Sequence, residues 1–403
     1  MRVYVAPCGI GLGHITRAVP IANELTRRGN TVAFSTYSDG FDYALRNHLP
    51  SYRAVPIKFR VTSDGTVDFK KTAATSGFSL GVRTFLRQLV LEIRYIKAFR
   101  PDVVFSDSRG SSLLAARLLR LPVALMLNQF RVEIVKRPSK RELSLLDTIF
   151  FVIANIGWLF IRTAIEIVWG RSQIILIPDL PLPYTICLGN LGIPRRYAGK
   201  VKMIGPVVES RFQSLADQSS FRQKLGLHSE KSMIYAAVSG PKLEREILVN
   251  ILLDSLRGIS EKYDVVLSCG DPIGRRSPHQ VHGVLVYDWI EDQDDFINAS
   301  DLIISRAGHG TILKSIAFGK PMILIPIPDH TEQYSNARRA TSLQVAEVMD
   351  QRRVNERTLE ETVRRILENG KYYQNAVKIR EQARSSQAVN LACDAIMAMA
   401  KGN

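Results

Sequence analysis

The stretch "GIGLGHITRAVPIANEL", Gly9 to Leu25, follows the apolar run "RVYVA" directly. Gly9, Gly11 and Gly13 allow a tight turn and close approach of main chain to a ligand; His14 adds an imidazole and Arg17 a cation. A turn from strand into helix is suited to an anion, because the first N–H groups of the helix point at it. The glycines alternate, however, and no acidic residue clearly ends the second apolar run, so the loop is a poor dinucleotide fingerprint and a dehydrogenase is disfavoured. His14 then has two readings: a ring satisfied at a helix start, or a general base. Asp107 in "SDSRG", Ser106 to Gly110, bears on the choice. An aspartate bonded to one ring nitrogen fixes the tautomer and raises the basicity of the other. Asp107 alternatively caps the helix that begins near Ser111.

Two further loops carry candidates. "AVSGPK", Ala237 to Lys242, places Ser239 and Gly240 where a hydroxyl and main-chain N–H groups meet a phosphate, an unspecific signal taken alone. "SRAGHGT", Ser305 to Thr311, joins a strand to a helix through glycines and an arginine. Upstream of it, Asp292-x-Asp294 has the spacing of a metal-chelating pair; its place before a helix reads instead as capping and complementation of the helix dipole.

The elements that position these loops repeat twice. Apolar runs at 2–6, 31–36, 52–57, 102–106, 123–127, 173–177 and 201–205 read as strands, with helices at 15–28, 82–99 and 111–119. Continuous Val/Ile/Leu runs separated by helices imply a parallel sheet covered on both faces. A polar stretch without a period begins at Gly205, and then strands restart at 233–238, 264–269, 284–289, 301–305 and 321–327. The chain thus divides into a first Rossmann-like domain (1–205), a linker (206–228), a second such domain (229–370) and a helical tail (371–403). Two doubly wound sheets leave a cleft, and ligands bind beyond the carboxyl ends of the strands.

Composition narrows the setting. Two domains suit 403 residues. Cys8, Cys187, Cys269 and Cys393 form no CxxC pair, which fits a reducing compartment, and no signal peptide is expected from the opening strand. A net charge of +16 favours anionic partners. No basic stretch interleaved with stacking aromatics is found, so nucleic acid is not the expected partner. The apolar segment 145–169 has an uncharged core, Thr148 to Ile161, shorter than the ~20 residues that span a bilayer. Asp147, Asn155, Arg162 and Glu166 share one narrow stripe, Trp158 and Trp169 suit a headgroup zone, and the basic run "VKRPSKR" precedes it. A helix lying in a membrane interface is expected; burial against the core or in a dimer contact, or a true span, are the alternatives.

The region Tyr287 to Ala340 resembles the donor-binding domain of nucleotide-sugar glycosyltransferases of the GT-B fold. The shared pattern is Arg306, Gly308, Thr311, then Gly319, Lys320, Pro321, Pro326, and finally Gln333, Asn336, Ala337. The resemblance is nearest to the group of the lipid II N-acetylglucosaminyltransferase and the plastid galactolipid synthases (glycosyltransferase family 28), and more distant to UDP-glucosyl and UDP-glucuronosyl transferases. The opening loop resembles the acceptor-side loop of members with Gly-x-Gly-His-x-x-Arg. It implies an α/β fold of two Rossmann-like domains facing a central cleft, His14 as catalytic base and Asp107 as its orienting partner. Gly11, Gly13, Arg17 and Asn128 would line the acceptor side. Gly308, His309, Gly310 and Thr311 would meet the donor diphosphate, with Ser239, Gly240 and Arg306 nearby. Trp289 and Ile290 would hold the nucleobase largely through main chain, and Glu332 and Gln333 the sugar hydroxyls. Lys314 stands where the family usually has a glutamate that grips the ribose; a lysine only donates. Ribose recognition then differs, the nucleotide is not uridine, or Lys314 pairs with a phosphate.

The function so implied is an inverting transfer of a hexose or N-acetylhexosamine from a nucleoside-diphosphate sugar, UDP by preference, to a hydroxyl or phosphate-linked acceptor on a lipid or polyprenyl carrier. No metal or cofactor is implied, and the expected place is the cytoplasmic face of the membrane. A non-transferring nucleotide-sugar epimerase of the same fold, or a silent partner that recruits another transferase, are the competing readings.

Overall fold

A computed structural model describes residues 1–56, 69–130, 159–160, 162–208, 215–227, 230–275 and 277–401. Two seven-stranded sheets organise the chain. The first orders β3 (Ser51–Arg53), β2 (Thr31–Thr36), β1 (Arg2–Pro7), β4 (Val103–Asp107), β5 (Val123–Met126), β6 (Ile174–Ile177) and β7 (Val201–Met203), all parallel. The second orders β10 (His279–Val281), β11 (Val284–Tyr287), β9 (Asp264–Ser268), β8 (Met233–Ala237), β12 (Leu302–Ser305), β13 (Met322–Leu324) and β14 (Ala346–Val348), with only β10 antiparallel to its neighbour.

Period-two alternation sends successive side chains of β1 to opposite faces. Val3 and Val5 meet the helix Gly13–Arg27 through Ile15, Ala18 and Ile21, while Tyr4 and Ala6 meet Ile96 and Leu113 on the other side. The last helix, Ala388–Lys401, returns to the first sheet, where Ala392, Cys393 and Ile396 join the same cluster as Ile15 and Ile21. The 371–403 tail therefore packs on both halves, since the preceding helix, Lys371–Arg384, places Ala376 and Ile379 in the core of the second sheet.

In each sheet the order of strands reverses beside one central pair, β1/β4 in the first and β8/β12 in the second. The four loops singled out in the sequence leave those four strands. A doubly wound sheet opens its ligand crevice at that reversal.

Some elements differ from expectation. The helix read as 82–99 runs over Phe69–Phe99, through Gly77 and Gly81. The short strands β10 and β14 lack a run long enough to read. Most of the apolar segment, 145–158 with Trp158, lies outside the described residues, as do 209–214 of the linker. Residues 162–169 are helical; Leu159, Phe160 and Ile167 are exposed, and Arg162 pairs with Glu166 at 3.1 Å. Trp169 corrects the headgroup reading: it is buried, its ring 5.6 Å from that of Phe130.

Candidate active site

Parallel pairing sets the first half of the site. Pro7 and Asp107 are register partners at the ends of β1 and β4, and Cys8 N donates to Asp107 O at 3.0 Å. The loop after β1 then turns sharply over Tyr37: a Cβ on Gly9 would stand 1.9 Å from the Tyr37 carbonyl oxygen. Gly11 adopts φ +65°, and the helix begins at Gly13. His14 is thus on the first turn, and Arg17 is one turn further along the same face.

Both side chains converge on one carboxylate. His14 Nδ1 lies 2.9 Å from Asp107 Oδ1, while Arg17 grips Asp107 through Nε and a terminal nitrogen, each at 2.5 Å. Burial pushes the Asp107 carboxyl up, but the charge of Arg17 and the hydrogen bonds from Arg17 and His14 outweigh it and hold the group well below the ordinary carboxylate range. An ionised carboxylate only accepts, so Asp107 favours the tautomer with the proton on His14 Nδ1 and the lone pair on Nε2, although an Arg17 terminal nitrogen also lies 3.1 Å from Nδ1. The His14 side chain is 25% exposed, enough to meet a substrate hydroxyl. Asp107 does not cap the next helix: Gly110–Leu118 starts behind Arg109 with no side-chain cap.

Two residues absent from the sequence reading brace this loop. Arg109 ion-pairs with the fully buried Glu92 and donates to Ser35 O at 2.6 Å, and Glu92 also accepts from Tyr4 and Ser35. The signal was present: Glu92 is a lone acid in the apolar run "LVLEI". A buried acid of that kind calls for a partner.

The second half of the site lies past β8 and β12. Gly308 precedes the helix His309–Ala317 and supplies no side-chain cap; Gly310 is exposed, and a Cβ there would touch nothing within 4 Å. Thr311 is half-buried beside it. Uncapped N–H groups on an open helix start favour an anion. Ser239 and Gly240 are half-buried in the facing loop, with Gly240 at φ +124°.

Three donor-side side chains are engaged within the protein. Arg306 is 2% exposed and braces its own domain, donating to Gln351 at 2.6 Å, Ile325 O at 3.2 Å and Glu244 O at 2.9 Å, so it does not reach a leaving group. Burial pushes its pKa down to about 10. Lys314 is not directed to a phosphate: its Nζ lies 2.5 Å from Asp294 Oδ1. The His309 ring is buried and faces Asp179 at 2.9 Å. Trp289 and Ile290 are also buried; the Trp289 ring stands edge-on to Tyr43 at 5.8 Å with Arg46 above it, which leaves main chain as what the pair can offer.

The halves meet at these loops. A Cβ on Gly11 would lie 3.6 Å from Gly240 Cα. Gly11 N donates to Asp39 at 3.1 Å, and Asp39 pairs with Arg245 at 3.0 Å, which also donates to Gly240 O. Asn128, just past β5, accepts from Arg17 at 3.2 Å and donates to Glu332 at 2.7 Å. His14, Asp107, Arg17, Asn128 and Glu332 are therefore one connected network, and Gln333 sits beside it with its side-chain oxygen accepting from Ile327 N at 2.9 Å.

Glu244, on the first turn after this loop, is 5% exposed and its carboxyl makes no hydrogen bond among the described residues. Burial pushes it up to about 7 from 4.5; Arg306 opposes this and Asp39 adds to it. The folded state holds a proton that the unfolded chain has released, so its stability is full below pH 4.5 and falls as pH rises through 7. Glu244→Gln does not titrate. Urea melts should show the variant equal to wild type near pH 5 and more stable by about 1–3 kcal/mol at pH 8; an equal margin at both pH values would contradict this.

Comparisons with known proteins bear on the fold and the class of protein. Residues 1–152 match the family model described as Glycosyl transferase family 1, and residues 241–391 match the Glycosyltransferase family 28 C-terminal domain. An uncharacterized glycosyltransferase of Methanosarcina acetivorans is 26% identical over 345 residues, 84% of this chain and 82% of that one. A UDP-N-acetylglucosamine–N-acetylmuramyl-(pentapeptide) pyrophosphoryl-undecaprenol N-acetylglucosamine transferase of Shouchella clausii is 23% identical over 97% of this chain and 96% of its own. The calicheamicin glycosyltransferase CalG4 superposes with a TM-score of 0.65 at 15% identity, covering 100% of this chain and 98% of that one; Acinetobacter baumannii MurG gives 0.57 at 18%, covering 98% and 99%. Two doubly wound lobes that meet at their strand ends define the GT-B architecture. The chain has that fold and is a glycosyltransferase, and residues 241–391 in its second lobe are similar to the family 28 C-terminal domain.

Proposed function

We propose that the protein transfers a hexose or N-acetylhexosamine from a nucleoside-diphosphate sugar, with UDP as nucleotide, to a hydroxyl or phosphate-linked acceptor on a lipid or polyprenyl carrier. The observation that carries this reading is the His14–Asp107 pair standing across the seam from the uncapped helix start at Gly308–Thr311. The acceptor hydroxyl gives its proton to His14 Nε2 as its oxygen attacks the anomeric carbon. The bond from that carbon to the diphosphate breaks, and the leaving group takes the electron pair. Its growing charge meets the N–H groups of the helix start, which are already oriented. A single displacement inverts the anomeric centre. Glu332 and Gln333 serve the sugar hydroxyls, and Asn128 keeps Glu332 oriented from the acceptor side.

The Shouchella clausii relative is named for a lipid-linked acceptor, and VinC, a structural neighbour with a TM-score of 0.63, was solved with dTDP. Exposed apolar groups support contact with a membrane face. Val82, Leu86 and Val90 recur every fourth residue on the helix Phe69–Phe99, beside exposed Arg83 and Arg87. Leu159, Phe160 and Ile167 are exposed as well. No helix of the described residues is long and apolar enough to cross a membrane. The proposed attachment is peripheral, on the cytoplasmic face, through these exposed apolar and basic side chains.

Thermal melts with UDP, dTDP, GDP and ADP test the donor class. UDP at about 100 times its dissociation constant adds about 2.7 kcal/mol and should raise the midpoint by a few degrees. A flat response to all four nucleotides would refute the reading.

A further inference from the structure

Lys320 belongs to the turn Gly319-Lys320-Pro321, which the catalytic cleft leaves unused. This turn joins the helix His309–Ala317 to the start of β13, so it lies at the amino ends of the strands, on the edge of the second sheet away from the cleft. β12 and β13 pair in parallel with Ile303 opposite Met322, which brings Asp301 and Lys320 side by side just ahead of the two strands. Lys320 is 6% exposed, yet its ammonium makes no hydrogen bond or ion pair among the described residues. Burial pushes its pKa down to about 8; Asp301 opposes this, and Arg222, Arg380 and Arg384 add to it.

The carboxylate beside it is already engaged. Asp301 Oδ2 accepts from Met233 N at 2.8 Å and pairs with Arg222 at 2.8 Å. Arg222, on the helix Gln218–Lys224, also donates through Nε to Ala299 O at 2.9 Å. Two more cations come from the helix Lys371–Arg384, where Arg380 and Arg384 are one turn apart on one face. Arg384 Nε donates to Ala317 O at 2.9 Å, a bond that suits a cation at a helix C-terminus. Arg380 lies against the turn itself: a Cβ on Gly319 would stand 3.1 Å from its Cδ and 3.6 Å from one of its terminal nitrogens. Its Nε faces the exposed Glu381 at 3.2 Å, and its terminal nitrogens make no hydrogen bond among the described residues.

The ordinary structural roles account for Arg222 and Arg384 and leave Lys320 over. A buried ammonium without a partner costs free energy, and neighbouring cations add to that cost. The cations named here outnumber the carboxylates, Asp301 and Glu381, so a metal ion is repelled and an anion is attracted. A phosphate group matches the donors on offer. Lys320 supplies a compact point charge, and the terminal nitrogens of Arg380 supply a planar fork that fits two phosphate oxygens.

We propose that Lys320 and Arg380 form a binding site for a phosphate group on the outer edge of the second lobe, separate from the catalytic cleft, with Arg222 and Arg384 adding to its positive field. The phosphate belongs to a lipid headgroup or to a free solute; the recognition is the same. Nothing in this site depends on the identity of the donor sugar or of the acceptor.

Calorimetric titration of the full chain with sodium phosphate at neutral pH, against sodium chloride of equal ionic strength, tests the site. Wild type should bind phosphate and not chloride. Lys320→Met keeps the stem and removes a buried charge, so it should fold. It should bind phosphate about 10–100-fold more weakly, the loss expected for a charge-assisted hydrogen bond. Arg380→Gln should weaken binding as well, and it decides the matter should Lys320→Met fail to fold. Sedimentation with phosphatidylcholine vesicles containing phosphatidic acid separates the two sources. Binding to these vesicles that falls in both variants makes the group a headgroup; free phosphate bound without vesicle binding makes it a solute. Phosphate held at the helix start in the cleft would be insensitive to both substitutions. Unchanged phosphate affinity in the folded variants would therefore overturn the site, as would wild type that binds neither phosphate nor the vesicles.

Discussion

His14→Ala should retain nucleotide binding and lose transfer by about 10²–10⁴-fold in kcat, the span of a general base. The reason is spatial. The His14 ring belongs to the first lobe and bonds to Asp107, whereas the helix start proposed to hold the diphosphate belongs to the second. Removing an imidazole that is one quarter exposed leaves a small solvent-filled space and no orphaned buried charge, because Arg17 still neutralises Asp107. The fold should therefore tolerate the change. Saturation kinetics for kcat, with calorimetry for UDP, separate the two effects. A variant that transfers at the normal rate would remove the base assignment; one that loses UDP binding would place His14 on the wrong ligand.

Asp107→Asn should be worse for the molecule as a whole. An amide offers N–H as well as C=O, so it can present a donor to Nδ1 and reverse the tautomer, placing the ring proton on the nitrogen that must accept. It also removes the charge that compensates Arg17, whose guanidinium is largely buried and held at two points by this carboxylate. Breaking one partner from such a pair costs about 3–5 kcal/mol. The expected result is a kcat reduced by about 10³–10⁴-fold in the folded protein, together with a lower urea midpoint. Arg17→Met combined with Asp107→Asn should recover part of the stability, since no unpaired cation is then left inside, and none of the rate. Wild-type turnover in the single variant would contradict the orienting role.

Much of the fold is legible in the chain because its strands are buried on both faces. Runs such as "DVVFS" and "DLIIS" need no alternation to be recognised, and each ends in a loop that carries chemistry. The His14–Asp107 contact could be anticipated for the same reason: two loops at the ends of adjacent parallel strands must be neighbours. What stayed hidden depends on burial and on long-range partners. Arg306 lies in the expected motif, but sequence does not reveal that its guanidinium folds back into its own domain. Asp179 and His309 are separated by 130 residues and belong to different sheets, so no local pattern links them. Trp169 reads as a headgroup-zone residue because it ends an apolar segment with a single polar stripe; packing against Phe130 turns it inward.

Proton removal by His14 and departure of the diphosphate in one displacement require the anomeric centre to turn over. NMR of the first-formed glycoside from an α-linked UDP sugar, read through its anomeric coupling constant, measures that directly. A β-linked product is predicted. An α-linked product would mean two displacements or front-face attack, and would contradict the role assigned to His14.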